Sequence, residues 1–156
     1  MIQVEIPGRG LLTLKYLVSD FTGTLSVDGV LVPGIKEKLN ELSKYLEIHI
    51  LTADTFGKAR EALKGINAKV VVLEPGEEAF KKLNYINKLG KSEVVAFGNG
   101  GNDELMLKEA ALSIAVMLEE GCATKTLLSA DVLVKSPLDA VDLLLNTKRL
   151  IAVLRR

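Results

Sequence analysis

The chain has 156 residues, 48% of them apolar and 26% charged, which suits a single domain over 1–156 with its own core and excludes intrinsic disorder. Its 20 basic and 20 acidic side chains cancel, and aromatics make up only 4%. No overall field favours nucleic acid or an anionic membrane, and no base-stacking platform is expected.

In chain order, Ile2, Val4 and Ile6 alternate before a Pro7-Gly8-Arg9-Gly10 turn, with Leu12 and Leu14 beyond it. This predicts a β-hairpin. Apolar runs of strand length follow at 16–19, 47–51, 68–73, 93–97, 113–116 and 131–134. Between them, helices are predicted over 35–45, 57–64, 77–89, 103–109 and 122–129, and one or two more over 137–156. Leu39, Leu42 and Leu46 carry the three-and-four spacing of an amphipathic helix. Near-continuous apolar strands alternating with helices predict an α/β fold with a mainly parallel sheet buried on both faces. No apolar segment reaches the roughly 20 residues of a bilayer span. The first ten residues lack a leader pattern, and Cys122 has no second cysteine to pair with. A cytoplasmic protein is expected.

Ligands in open α/β sheets bind beyond the carboxyl ends of the strands. Three predicted strands run there into polar segments: Asp20-Phe21-Thr22-Gly23-Thr24-Leu25, Thr52-Ala53-Asp54 and Gly98-Asn99-Gly100-Gly101-Asn102-Asp103. The last is not a dinucleotide fingerprint, because Asp103 stands where the third glycine belongs. Phosphoryl transfer through an aspartate suits the set better. Asp20 would be the nucleophile. Asp20, Asp103, Asn99 and the carbonyl of Thr22 would offer hard oxygens to magnesium. Thr52 would donate to a phosphoryl oxygen and Lys82 would neutralise it.

These segments, in this order, resemble the motifs of the haloacid dehalogenase-like (HAD) superfamily. The resemblance covers roughly residues 15–145, continuing through Ser113–Met117 and Ser129–Leu133. It implies a HAD-like, Rossmannoid three-layer fold with an N-terminal β-hairpin and no cap domain. Thr22, where most members have aspartate, is similar to the phosphorylation domain of P-type ATPases, and the chain resembles their stand-alone soluble relatives most. Phe21 stands in place of the pumps' lysine, and Asn99 in place of the usual magnesium-binding aspartate. Only 31 residues separate Asp20 from Thr52, too few for the pumps' nucleotide-binding domain. They hold a hairpin turning at Asp28-Gly29 and one helix. The lysine of the third motif is Lys81 or Lys82, with Lys82 preferred because Ile86 and Leu89 then lie four and seven residues on, as in the family.

The implied function is a magnesium-dependent phosphohydrolase with an aspartyl-phosphate intermediate, acting on a small phosphorylated substrate or a phosphoprotein. Without an acid/base carboxylate at Thr22, dephosphorylation is expected to be slow or the substrate range narrow. The alternative is a non-catalytic or regulatory phosphate-binding module. Uncapped members tend to take large substrates or borrow a cover from a neighbouring subunit, so a homo-oligomer stays open. Lys58 and Arg60 read as a solvated helix face and His49 as structural. Cys122 lacks a histidine partner and is assigned no catalysis.

Overall fold

The computed structural model describes residues 1–53 and 57–156. The first fourteen residues form the expected antiparallel hairpin, β1 (Ile2–Ile6) against β2 (Gly10–Leu14). It is a separate two-stranded sheet. Arg9, in its turn, makes a two-pronged ion pair with Asp131 and donates to the Ala111 carbonyl, which fastens the hairpin to the main body.

The main sheet begins with β3 (Tyr16–Asp20). A small hairpin, β4 (Ser26–Val27) with β5 (Val30–Leu31), and the helix α1 (Ile35–Leu42) lead to β6 (Glu47–Thr52). Then come α2 (Lys58–Ala62), β7 (Lys69–Val72) and α3 (Glu78–Leu89). The chain continues through β8 (Val94–Gly98), α4 (Glu104–Glu109), β9 (Leu112–Val116), α5 (Thr124–Ser129) and β10 (Val132–Val134). It closes with α6 (Pro137–Leu145) and α7 (Thr147–Leu154).

Six parallel strands lie in the order β10-β9-β8-β3-β6-β7. Alternation within each strand explains burial on both faces. Leu17, Ile48, Ile50, Val95 and Phe97 join a core shared with α1, α2 and α6, while Val18, Leu51, Val94 and Ala96 join a second core with Ile86 of α3 and Met106 of α4. Three layers result. Among the described residues nothing is inserted as a cap, and no helix is long and apolar enough to cross a membrane.

The chain first extends the sheet outward from β3 through β6 and β7. It then crosses back to β8 on the other side of β3 and continues outward through β9 and β10. The carboxyl ends of β3 and β8 therefore flank the point where the topology switches, the place such sheets reserve for ligands.

Candidate active site

Asp20 closes β3 and is 8% exposed. The backbone then turns sharply: Gly23 has φ +80°, and a Cβ there would lie 2.4 Å from the Asn99 amide nitrogen. Both the left-handed conformation and the close approach require glycine. Phe21 packs into the core beside Leu25. That burial accounts for an apolar residue at position 21.

Lys82 reaches the site from α3 and is 2% exposed. Its ammonium lies 2.8 Å from Asp20 Oδ1, 2.8 Å from Asp103 Oδ1 and 3.1 Å from Asn102 Oδ1. Those three bonds use all its donors. Lys81, one residue earlier, turns away to the carbonyls of Glu74 and Pro75. Of the two lysines left open by the sequence, Lys82 is the one at the site.

Asp103 is fully buried, and both its oxygens are engaged. Oδ1 accepts from Lys82, and Oδ2 accepts from the backbone N–H groups of Asn99 and Gly100, each at 3.0 Å. The loop is wound around this carboxylate, and a Cβ on Gly98 would sit 2.6 Å from the Asp103 Cβ. Expected as a metal ligand, Asp103 directs its oxygens to Lys82 and the loop amides.

Asn99 is stitched on two sides. Its Oδ1 lies 3.0 Å from the Thr24 hydroxyl, and its Nδ2 donates to the Gly121 carbonyl at 3.1 Å. The Gly121 carbonyl fixes which end of the amide faces it, since two oxygens would repel there. Thr24 Oγ1 also lies 3.2 Å from Asp20 Oδ2, so its single proton is shared between the nucleophile candidate and Asn99.

Burial raises the Asp20 carboxyl to about 7, the nearby Asp103 charge adds to the rise, and Lys82 and Thr24 oppose it. Lys82 is held in its charged form. Burial disfavours its charge, but the two aspartates outweigh burial and raise it above the ordinary lysine value. With both aspartates ionised, these three groups leave one net negative charge beneath an open cleft of about 540 Å³.

Asp20, Thr22, Thr52, Lys82, Asn99 and Asn102 line that cleft, and so does Glu120. Thr52 is buried at the end of β6; Asp54 lies outside the described residues. Lys58 and Arg60 are exposed on α2 and do not line the cleft. Sequence reasoning gave no role to Thr24 or Asn102, although both stand inside the segments it singled out. Glu120 it missed outright, because the turn before α5 has neither periodicity nor a motif.

The donor set fits a small hard cation. Asp20 and Asn99 present a carboxylate and an amide oxygen beside Thr22, whose carbonyl is the third expected ligand. Magnesium is commonly bound through one or two carboxylates with waters completing the shell.

No family model matches the chain. Over 84 residues it is 48% identical to an uncharacterized protein of Methanocaldococcus jannaschii, a match covering 51% of this chain and 90% of that one. The two belong to one family. A second uncharacterized protein of that organism is 44% identical over 39 residues, 25% of this chain and 89% of its own length. Among solved structures, 3-deoxy-D-manno-octulosonate 8-phosphate phosphatase from Moraxella catarrhalis, in complex with magnesium, phosphate and KDO, superposes with a TM-score of 0.71. Identity is 18%, over 89% of this chain and 92% of that one. The cobalt-bound deoxy-D-mannose-octulosonate 8-phosphate phosphatase from Haemophilus influenzae gives 0.71 at 12% identity, covering 90% and 92% of the two chains. The chain has the HAD-like fold. Within it Asp20 ends the central strand, and the Asn99–Asp103 loop follows the neighbouring strand across the switch point.

Proposed function

We propose that the chain is a magnesium-dependent phosphohydrolase that works through phosphorylation of Asp20, on a small phosphorylated substrate or a phosphoprotein in the cytoplasm. The observation that carries this is the Asp20–Lys82–Asp103 triad: a carboxylate at the floor of an open cleft, with a lysine held beside it by a second carboxylate. The fold and the phosphatases that share it support the same reading. The P-type ATPase affinity rests on the motif residues alone.

Asp20, Thr22 and Asn99 would hold the cation, whose charge would offset Asp20 and the incoming phosphoryl group. Lys82 orients Asp20 through Oδ1 and adds its positive charge to the phosphoryl oxygens. Thr24 steadies Oδ2. Thr52, on the neighbouring strand, donates to a phosphoryl oxygen. Asp103 acts through Lys82 and through the two loop amides it fixes. In the first half-reaction an Asp20 oxygen attacks phosphorus and the ester oxygen leaves. In the second, water attacks the phosphoryl group and frees the carboxylate. Thr22 cannot serve as the acid/base of either step; acyl phosphates, which leave without protonation, need none for the first. The single domain leaves the cleft to be covered by the β4–β5 hairpin or by a neighbouring copy.

The second reading is a regulatory phosphate-binding module, favoured by the neutral side chains at Thr22 and Asn99. Labelling with radioactive acetyl phosphate in magnesium separates the two. The first expects a covalent phosphoenzyme that Asp20→Asn abolishes at an unchanged melting temperature or a higher one. Phosphate binding without any covalent label supports the second.

A further inference from the structure

Glu120 stands at the mouth of the cleft whose floor is Asp20. It occupies the middle of a tight turn, Leu118 to Gly121, closed by a 2.9 Å bond from the Gly121 N–H to the Leu118 carbonyl. The turn is fastened to Asn99 twice: Asn99 Nδ2 donates to the Gly121 carbonyl, and the Ala123 N–H donates to the Asn99 carbonyl at 2.8 Å. Glu120 Oε2 accepts from the Asp28 N–H at 3.0 Å, at the tip of the hairpin that follows Thr22. The carboxylate is thus braced between its own turn and the hairpin tip, with Oε1 turned to no hydrogen-bonding partner among the described residues.

Displacement at phosphorus is in line. A nucleophile at the floor sends the leaving oxygen toward the mouth, and the water that later attacks phospho-Asp20 enters from the same side. We infer that Glu120 supplies, from a different loop, the acid/base carboxylate that Thr22 lacks. This rests on the Asp20 reading above. In the first step the Asp20–phosphorus bond forms, the ester P–O bond breaks, and the Glu120 proton passes to the leaving oxygen. In the second, water attacks phosphorus, its proton passes to Glu120, and the bond to Asp20 breaks. The cycle consumes one water and returns Glu120 to its starting form. General acid/base assistance is typically worth about 10²–10⁴-fold.

The test uses the full chain labelled with radioactive acetyl phosphate, a substrate whose leaving group needs no proton. In E120Q, whose amide oxygen still accepts from Asp28, the phosphoenzyme should form at the wild-type rate and decay about 100-fold more slowly or worse. Adding T22D to E120Q should restore decay, and formate should rescue E120A in part. Wild-type decay in E120Q, with loss only in E120A, would make Glu120 a brace for the hairpin and overturn the proposal. So would weaker magnesium binding by E120Q in calorimetry with formation slowed as much as decay, which would make it a cation ligand. If the wild type takes no label on Asp20, the nucleophile reading itself falls; if it labels and E120Q decays normally, only the assignment of Glu120 falls.

Discussion

The two ends of the central sheet each bury a titratable side chain, and they treat it oppositely. At the amino end, His49 of β6 is 2% exposed. Its Nδ1 meets the Tyr85 hydroxyl at 2.6 Å, its Nε2 meets Glu47 at 2.9 Å, and Tyr16 and Tyr85 stand edge-on to the ring. Burial lowers the imidazole below its ordinary value despite Glu47, so the ring is held neutral. Glu47 has its own cation in Lys69, outside the core. At the carboxyl end, Asp20, Asp103 and Lys82 keep three charges together in the interior. Desolvation favours the neutral form at both ends. At the amino end the fold yields to it; at the carboxyl end it spends a buried lysine to resist. A neutral carboxyl is a poor nucleophile, so the difference is the one that the role proposed for Asp20 requires.

The largest expected effect comes from removing that lysine. Lys82→Ala leaves two buried carboxylates facing each other and should cost about 3–5 kcal/mol in urea unfolding at pH 8, the usual penalty for breaking a buried ion pair. The loss should shrink as pH falls through about 7, where Asp20 takes up a proton. A loss under about 1 kcal/mol, or one that does not change with pH, would mean the triad is not the electrostatic unit described here.

Much of this contrast was legible in the chain. Each predicted strand of the central sheet lies within one or two residues of its observed bounds, because two-sided burial leaves unbroken apolar runs such as Val94–Phe97. The helix α1 stops at Leu42 rather than at Tyr45. Leu46 still satisfies the spacing because the turn after α1 returns it to the core. Lys82 was preferred over Lys81 because Ile86 and Leu89 then lie four and seven residues on, as in the family the motifs resemble; in the structure Lys82 and Ile86 are the buried residues of α3. The strand order had no local signal. Nor did the use of Asn99, which depends on the Gly121 carbonyl 22 residues away. Glu120 depends likewise on a turn that brings it to a hairpin 92 residues earlier. Period and motif report what a segment needs from its own layer, not which distant loop will lean on it.

Asp20→Asn comes second and sharpens the comparison, because it should stabilise the protein. The folded-state value of Asp20 is raised from 3.8 to about 7. Its contribution to stability is therefore full below the unfolded value and is lost as pH rises through about 7. That shift caps the gain at roughly 4 kcal/mol, and the weakened pair with Lys82 should hold it nearer about 2 kcal/mol. Without divalent cations, the Asp20→Asn variant should melt above wild type at pH 8 and level with it at pH 4. A lower melting temperature at pH 8 would show that the charged form is not strained.

Asn99→Asp is third. It places an oxygen against the Gly121 carbonyl, now 3.1 Å from the amide nitrogen. Without cation the variant should lose about 1–2 kcal/mol, the cost of an unmade buried bond. With magnesium it gains a full charge beside the ion and should bind it about tenfold more tightly, or roughly 1.4 kcal/mol. Calorimetry and thermal melts with and without magnesium read both effects. Unchanged affinity would remove residue 99 from the cation site, and unchanged cation-free stability would make the Gly121 contact idle.

The smallest effect belongs to the amino end and carries the opposite sign. His49→Phe keeps an aromatic ring between Tyr16 and Tyr85 but gives up two hydrogen bonds. Tyr85 is only half-buried and Glu47 is exposed, so water replaces the lost partners and the cost at pH 8 should be about 1 kcal/mol or less. The folded-state value of His49 lies below the unfolded one. The stability it lends is therefore present above the unfolded value and disappears as pH falls through the folded one. The penalty of the substitution should fade between pH 7 and pH 5, whereas the benefit of Asp20→Asn should grow as pH rises from 4 to 8. Urea titrations of both variants across that range set the two slopes side by side. A penalty for His49→Phe that grows on acidification would mean the imidazole is charged in the fold, and the amino end would then be a second charged interior rather than a neutral one.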